Sequence, residues 1–317
     1  MVTVPSISHR KSAVDPTDSS ATIRRYRLTG AGPMKREGDM HDQAVETETS
    51  LAGDDPAHRT HALRWWVEIL LTLGFYIIYS AVRNQFGSAL GEQVKDASFN
   101  NAITVIDAEK ALGLYVEEWV QARFLDWDWF LVFWNVFYGS FHFIVTIFAM
   151  IFMFARYPRR YAFMRSALCA TTTVALVGFA FFPLMPPRLL SNCVSQYGAC
   201  VPGHDYVDTL VHPGGLWSFE SGTMETISNQ YAAMPSLHVA WALWSTIALY
   251  PVLHARWSRA AIAVYPALTM FAIVVTANHY WIDALGGMVA LGIGLALARP
   301  LARLLPGPAG SLSTNAA

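Results

Sequence analysis

Residues 278–301 read NHYWIDALGGMVALGIGLALARPL, a short polar start followed by a long apolar run. The run from 281 to about 301 is long enough to cross a bilayer, which takes about 20 apolar residues. His279 and Asp283 stand at its beginning, four residues apart and therefore on one face of a helix. Because ionisable groups are costly at the end of a membrane helix, these two indicate a functional site.

A second polar motif, MPSLH at residues 234–238, opens the apolar run 236–253. Its proline suits the first turn of a helix, where backbone N–H groups have no partner. Together with the Ser236 hydroxyl, these groups predict an anion site that the helix dipole reinforces. His238 alone is more typical of a hydrogen-bonded helix end. Paired with His279, it favours phosphoryl-transfer chemistry.

The composition excludes an ordinary soluble enzyme, because 54% of the residues are hydrophobic, 14% are charged and the mean hydropathy is +0.31. We expect an all-α, polytopic membrane protein with one bundle of six transmembrane helices. The charged segment 99–124 predicts amphipathic helices at the membrane interface. The six predicted spans are 65–82, 129–155, 166–185, 236–253, 260–277 and 281–301.

Polar tails flank this bundle. Residues 1–60 have no apolar periodicity and no apolar core of a secretory signal, so we expect a disordered cytoplasmic tail. Residues 61–304 form the predicted catalytic domain, with outer loops at 83–128 and 186–235. Residues 305–317 predict a second disordered tail.

Arginines in the connecting segments predict the orientation, since short cytoplasmic loops collect Lys and Arg. An alternating six-span topology places them all on one side, together with both termini. The sequence thus predicts a plasma-membrane protein whose active site faces away from the cytoplasm. The arginines are Arg59, Arg64, Arg156, Arg159, Arg160, Arg165, Arg256, Arg259, Arg299 and Arg303.

The predicted outer loop 186–235 contains two cysteines, Cys193 and Cys200, spaced for a small disulfide-closed ring. An oxidising compartment would permit that bond. Two free thiols are the alternative.

The pair His279 and Asp283 suits an activated nucleophile, because a carboxylate that accepts one ring proton leaves the other nitrogen available. A structural pair that joins two helices is the alternative. Arg188 follows the helix-breaking sequence FPLMPP, and its fork of donors suits phosphate. An arginine that reaches to lipid headgroups is the rival interpretation.

Two further places could bind a polar headgroup. Arg83 and Asn84 end the first predicted span at the outer face. Tyr138 and His142 lie one turn apart inside the second, where an ionisable group is a functional candidate. Hydrogen bonds between helices would explain Tyr138 and His142 equally well.

Taken together, Pro-Ser-x-His, His-x-x-x-Asp and the preceding Met-Pro-Pro-Arg resemble the type 2 phosphatidic acid phosphatase superfamily over about residues 65–300. The form of these motifs is most similar to its inositolphosphotransferase branch, which includes inositol phosphorylceramide synthases. The resemblance implies a six-helix bundle, no cofactor and no metal. It also implies roles for residues within the motifs: His279 attacks phosphorus to give a phosphohistidine, Asp283 orients His279, His238 moves the protons, and Arg188, Ser236, Pro187 and Tyr280 bind the substrate.

The chain departs from the hydrolase branch of that family, which has cationic residues where Phe181 and Ile273 stand here and a serine at Ala272. Fewer cations favour a singly charged phosphodiester over a dianionic monoester. We therefore expect transfer of a phospho-headgroup, such as inositol phosphate, from a phospholipid or polyprenyl-phosphate donor to a lipid alcohol. The headgroup and the oligomeric state stay open, and no nucleic-acid partner is expected.

Three alternatives remain at this point. The first is a lipid-phosphate or polyprenyl-diphosphate phosphatase, with water as the acceptor. The second is a transporter or proton relay, although the two halves of the sequence lack the matched broken helices typical of transporters. The third is a metal site, for which His238, His279 and Asp283 lack a further clustered ligand.

Overall fold

The computed structural model of this chain describes residues 65–86, 92–215 and 229–304. Within the first range, it describes the side chains of 66–82 only. The tails predicted at 1–60 and 305–317 therefore lie outside the described residues.

The described residues form helices and no strand, apart from an isolated parallel bridge between Leu184 and Ala232. The predicted all-α fold is confirmed for this part of the chain. The helices are α1 (Trp65–Phe86), α2 (Glu92–Ala111), α3 (Glu117–Ala122), α4 (Asp128–Arg156), α5 (Pro158–Phe181), α6 (Pro187–Leu190), α7 (Leu237–Leu249), α8 (Arg256–Val275) and α9 (Trp281–Leu304).

Four of these helices, α4, α5, α8 and α9, are long and apolar enough to cross a bilayer. They are the candidate spans of an integral membrane protein, as the composition predicted. The apolar part of α1 and the whole of α7 are shorter, at 66–82 and 237–249. Length and composition thus support four of the six predicted spans directly.

Several predicted bounds differ from those of the observed helices, and two of the differences have a clear physical cause. Helix α5 begins at Pro158, eight residues before the predicted 166, because a proline is well placed in the first turn of a helix. Helix α7 ends at Leu249 rather than at 253, because Pro251 has no N–H to continue the helical hydrogen bonds.

Because α5 begins so early, Arg165 is not a loop residue. It lies buried inside α5 and forms an ion pair with Glu68 of α1, which also accepts a hydrogen bond from the Tyr161 hydroxyl at 2.9 Å. Arg165 therefore joins two helices and does not contribute to the charge of a connecting loop.

Helix α7 lies in the middle of the bundle and packs against α4, α5, α8 and α9. Its Trp244 is fully buried and donates its indole N–H to the Met164 carbonyl at 2.8 Å. The ring packs in a large apolar cluster with Leu131 and Met153 of α4. The short helix is thus packed against four other helices, and this fixes the position of its first turn.

That first turn is held between α5 and α9 by close backbone contacts. A Cβ atom at Gly178 of α5 would lie 2.5 Å from the Pro235 side chain, and one at Gly287 of α9 would collide with the Ser236 carbonyl oxygen. The Ser236 N–H also donates to the Asp283 carbonyl at 2.9 Å. A backbone hydrogen bond therefore joins the two polar motifs that the sequence keeps 40 residues apart.

Replacing Gly287 should test this close approach. In Gly287→Ala, the new methyl group would meet backbone that cannot move independently, so we expect a loss of about 1–3 kcal/mol of stability, the usual cost of overpacking. The thermal midpoint of the purified protein in detergent measures the loss. Gly292→Ala is the matched control, because a Cβ atom at Gly292 of the same helix meets nothing within 4 Å. Equal midpoints for the two variants would contradict the role assigned to Gly287.

Candidate active site

His279 occupies the tight turn between α8 and α9. Ala277 in this turn has a positive φ of 51°, and its carbonyl accepts a hydrogen bond from the Arg188 N–H at 2.8 Å. The turn directs the His279 ring into the protein, where it is 3% exposed. The catalytic candidate is therefore buried at the point where two membrane helices meet.

The hydrogen bonds of His279 determine which of its nitrogens is available. Nδ1 lies 2.8 Å from the Ala233 carbonyl oxygen and 3.3 Å from Asp283 Oδ2. Because both of these partners are acceptors, Nδ1 carries the proton and Nε2 keeps its lone pair. Nε2 lies 3.3 Å from His238 Nδ1. The fold thus brings together His238, His279 and Asp283, the three predicted catalytic residues.

Two aromatic residues of α4 pack against His238. The Tyr138 ring stacks on it with centroids 4.3 Å apart, and the His142 ring meets it edge-on at 4.2 Å. His142 Nδ1 forms a hydrogen bond of 2.9 Å with the Tyr138 carbonyl. The structure therefore places Tyr138 and His142 directly against His238.

Arg188 lies in α6 and is 3% exposed. Burial of this degree argues against the alternative of an arginine that reaches to lipid headgroups. Each nitrogen of its guanidinium group donates to a different side chain. The acceptors are Asn278 Oδ1 at 3.0 Å, Asp208 Oδ2 at 2.6 Å and Gln230 Oε1 at 2.7 Å.

Sequence reasoning missed Asp208 and Gln230, since neither stands in a recognisable pattern. The carbonyl oxygen of the Asn278 side chain accepts from Arg188, and its amide donates to the Thr276 hydroxyl at 2.9 Å. Arg188 is thus fixed next to His279 by a neighbour of that histidine, with its charge compensated by Asp208.

Ser236 is the cap residue of α7, fully buried, and its hydroxyl has no hydrogen-bond partner within the described residues. A buried hydroxyl without a partner costs about 1–3 kcal/mol, which a bound acceptor can recover. It lies at the positive end of the helix dipole, where anions bind favourably. The predicted anion site at this turn thus contains an unused donor.

The remaining predicted substrate residues have other surroundings. The Tyr280 hydroxyl donates to the Met185 carbonyl at 3.1 Å, and its ring is fully buried in an apolar cluster. Pro187 is buried in the first turn of α6. The side chains of Arg83 and Asn84 lie outside the described residues. For these four residues, a role in binding stays a prediction.

Cys193 and Cys200 form a disulfide that closes a small ring soon after α6. Both cysteines are exposed. The third cysteine, Cys169, is a reduced residue within α5.

Residues 103–297 match the profile of the PAP2 superfamily. The chain belongs to this superfamily. The matched segment runs from α2 to α9 and includes each motif residue that meets in the site, so the resemblance read from the motifs is confirmed at the level of the superfamily. Phosphatase or phosphotransferase activity on lipid phosphates follows from membership of the PAP2 superfamily. Comparison with curated proteins and with solved structures found no match.

Proposed function

We propose that this PAP2 superfamily protein is a membrane phosphotransferase that works through a phosphohistidine on His279. One observation carries the proposal: Nδ1 of His279 faces two acceptors, so that Nε2 presents a lone pair toward His238. This is the arrangement of a nucleophile, an orienting group and an acid–base partner.

The chemistry has two steps. His279 Nε2 attacks phosphorus and forms an N–P bond, while the P–O bond to the leaving alcohol breaks and protonated His238 supplies the proton to the departing oxygen. An acceptor hydroxyl then gives its proton to His238 and attacks the same phosphorus, which frees His279. Asp283 stabilises the positive charge that the His279 ring acquires in the intermediate.

Three groups can hold the phosphoryl oxygens in this proposal. The unpartnered Ser236 hydroxyl and the backbone N–H groups at the start of α7 donate from one side. Arg188 donates from another, because the planar fork of its guanidinium group matches the geometry of phosphoryl oxygens. Tyr138 and His142 line the space beside His238 and orient its ring.

Replacing the nucleophile should abolish turnover. We expect His279→Ala to lose on the order of 10⁴-fold in rate, because no other group can form the intermediate, and Asp283→Ala to lose a comparable amount. A donor radiolabelled at phosphorus should leave an acid-labile label on the wild type and none on His279→Ala. His254→Ala is the control, since His254 is exposed in the turn between α7 and α8. A His279→Ala protein that keeps a tenth of the wild-type rate would exclude the covalent mechanism.

The charge of the site supports a phosphodiester donor. Ala272 and Ile273 are fully buried and apolar, so they add no cation. The guanidinium group of Arg188 is paired with Asp208 at 2.6 Å. Phosphoryl transfer depends on neutralising the charge of the phosphoryl oxygens, and this site offers little net positive charge. A singly charged diester such as phosphatidylinositol, with a lipid alcohol as acceptor, therefore suits it better than a dianionic monoester.

A panel of donors tests this choice. We expect the purified enzyme to transfer the headgroup of phosphatidylinositol to a lipid alcohol and to release phosphate from phosphatidic acid slowly or not at all. Arg188→Ala should nearly abolish transfer, but it also leaves Asp208 buried without its cation, which costs about 3–5 kcal/mol. The double variant Arg188→Ala/Asp208→Ala removes both charges. It should recover thermal stability and stay inactive. Fast phosphate release without transfer would assign the protein to the hydrolases instead.

The six-span topology and its orientation belong to the same proposal. If α1 and α7 also enter the membrane, the arginines at 156 and 159 and those at 256 and 259 lie on one side. The site and the Cys193–Cys200 ring then lie on the other. Helix α7, at 1.5 Å per residue, is about 20 Å long and shorter than the roughly 30 Å hydrocarbon layer, so its first turn would lie at a depth that lipid headgroups can reach.

Labelling of thiols in intact cells tests the orientation. In a Cys169→Ala background and after mild reduction, an impermeant reagent should label Cys193 and Cys200, because both are exposed on the proposed outer face. The added cysteine of Arg159→Cys, exposed at the start of α5, should stay unlabelled until the cells are opened. The reverse pattern would place the site in the cytoplasm.

A further inference from the structure

Three consecutive backbone N–H groups at the start of α9 donate to three different carboxyl groups. One of these carboxyl groups belongs to α9 itself, whereas the other two come from α2 and α3, outside the four long spans. Such bonds satisfy donors that a helix start leaves without partners, and negative charge there interacts favourably with the dipole. The bonds are Tyr280 N to Asp283 Oδ2 at 3.0 Å, Trp281 N to Glu117 Oε1 at 2.9 Å and Ile282 N to Glu109 Oε1 at 3.2 Å.

Glu109 and Glu117 are both fully buried, which is rare for carboxyl groups. Burial raises the pKa of Glu117, but Glu117 accepts from two backbone N–H groups, those of Trp281 and Val116, which favour its charged form. Glu109 accepts from one backbone N–H group, that of Ile282, and its carboxyl group lies within hydrogen-bonding reach of Glu117. Burial, and then the charge of Glu117, raise the pKa of Glu109 to about 9. At neutral pH, Glu109 is therefore the protonated member of the pair.

We infer that Glu109 and Glu117 are positioning residues: a buried carboxyl pair that holds one proton and fixes the first turn of α9 for phosphoryl transfer. The inference rests on the proposed function of His279, which directly precedes the turn that the pair holds. Asp283, whose carboxylate faces the His279 ring, directly follows Ile282, and the Ile282 N–H donates a hydrogen bond to Glu109. A shift of this turn would move both groups relative to His238.

A single proton is essential to this arrangement. With one proton, the pair contributes one negative charge to the helix start. Without it, two adjacent carboxylates would repel each other and Asp283, which also lies within electrostatic reach of Glu109. The other titratable neighbours are tyrosines: burial keeps the pKa of Tyr115, Tyr206 and Tyr280 above 10, so they stay neutral while Glu109 titrates. Activity should therefore fall as the pH rises through about 9.

Two substitutions of Glu109 separate its charge from its hydrogen bond. In Glu109→Gln, the amide keeps an acceptor for the Ile282 N–H and cannot lose a proton. We expect kcat within about threefold of the wild type at pH 7, and we expect the alkaline decline near pH 9 to disappear. In Glu109→Ala, the Ile282 N–H loses its acceptor. We expect kcat to fall by about 10²-fold, the scale that a small misplacement of reacting groups can cost, with KM nearly unchanged. Asp107→Asn, exposed on the same helix, should reproduce the wild-type profile.

A Glu109→Gln protein that is as inactive as Glu109→Ala, or that keeps the wild-type decline near pH 9, would overturn the inference. A stability measurement separates this failure from that of the proposed function. A group whose pKa is raised in the folded state stabilises the fold at low pH and loses that contribution as the pH rises toward the folded-state pKa. The wild-type thermal midpoint should therefore fall between pH 6 and 9 more steeply than that of Glu109→Gln. Equal slopes would refute the retained proton even if no donor lipid were turned over.

Discussion

The backbone hydrogen bond from the Ser236 N–H to the Asp283 carbonyl is the constraint on which the site depends. It joins the start of α7 directly to the start of α9. Such a close approach requires glycine at position 287, because a Cβ atom there would collide with the Ser236 carbonyl oxygen. From this junction, His238 and His279 extend to a separation of 3.3 Å between their nitrogens. The chemistry proposed for this protein thus depends on backbone packing, since His238 lies in the first turn of α7 and His279 in the turn that leads into α9.

Burial of charge is the second organising feature. Three sets of buried charged groups reduce the free-energy cost of burying an ion. They are Arg188 with Asp208, Arg165 with Glu68, and the carboxyl pair of Glu109 and Glu117. The first two compensate a cation with a carboxylate, whereas the third retains a proton. Removing one partner of a buried ion pair is far more costly than removing both, so these groups are expected to change together. Two of the three sets bond to residues close to His279 in sequence, namely Asn278, Trp281 and Ile282, so this part of the site has low net charge.

Low net charge also links the fold to the choice of donor. A hydrolase that accepts phosphomonoesters needs several cations to offset a dianion, whereas the described part of this site presents Arg188 already paired with an acid. Hydrogen-bond donors without full charge, the Ser236 hydroxyl and the amides of the α7 start, complete the proposed phosphate site. In the proposed function, the number of charges on the donor therefore decides which phosphate ester the site accepts.

The sequence by itself determined the helical membrane class, the superfamily and the two histidine motifs, because apolar runs and the spacing of His279 and Asp283 are local properties of the chain. It could not determine the partners of Arg188 or the role of Glu109, since Asp208, Gln230 and the start of α9 come from distant segments that no periodicity connects. The sequence also predicted that Arg165 lies in a loop. In the structure it lies inside α5, where the ion pair with Glu68 of α1 compensates its buried charge. Only the tertiary structure decides which distant polar groups meet. A buried polar group needs a hydrogen-bond or charge partner, and the packing of the helices determines which group is close enough to be that partner.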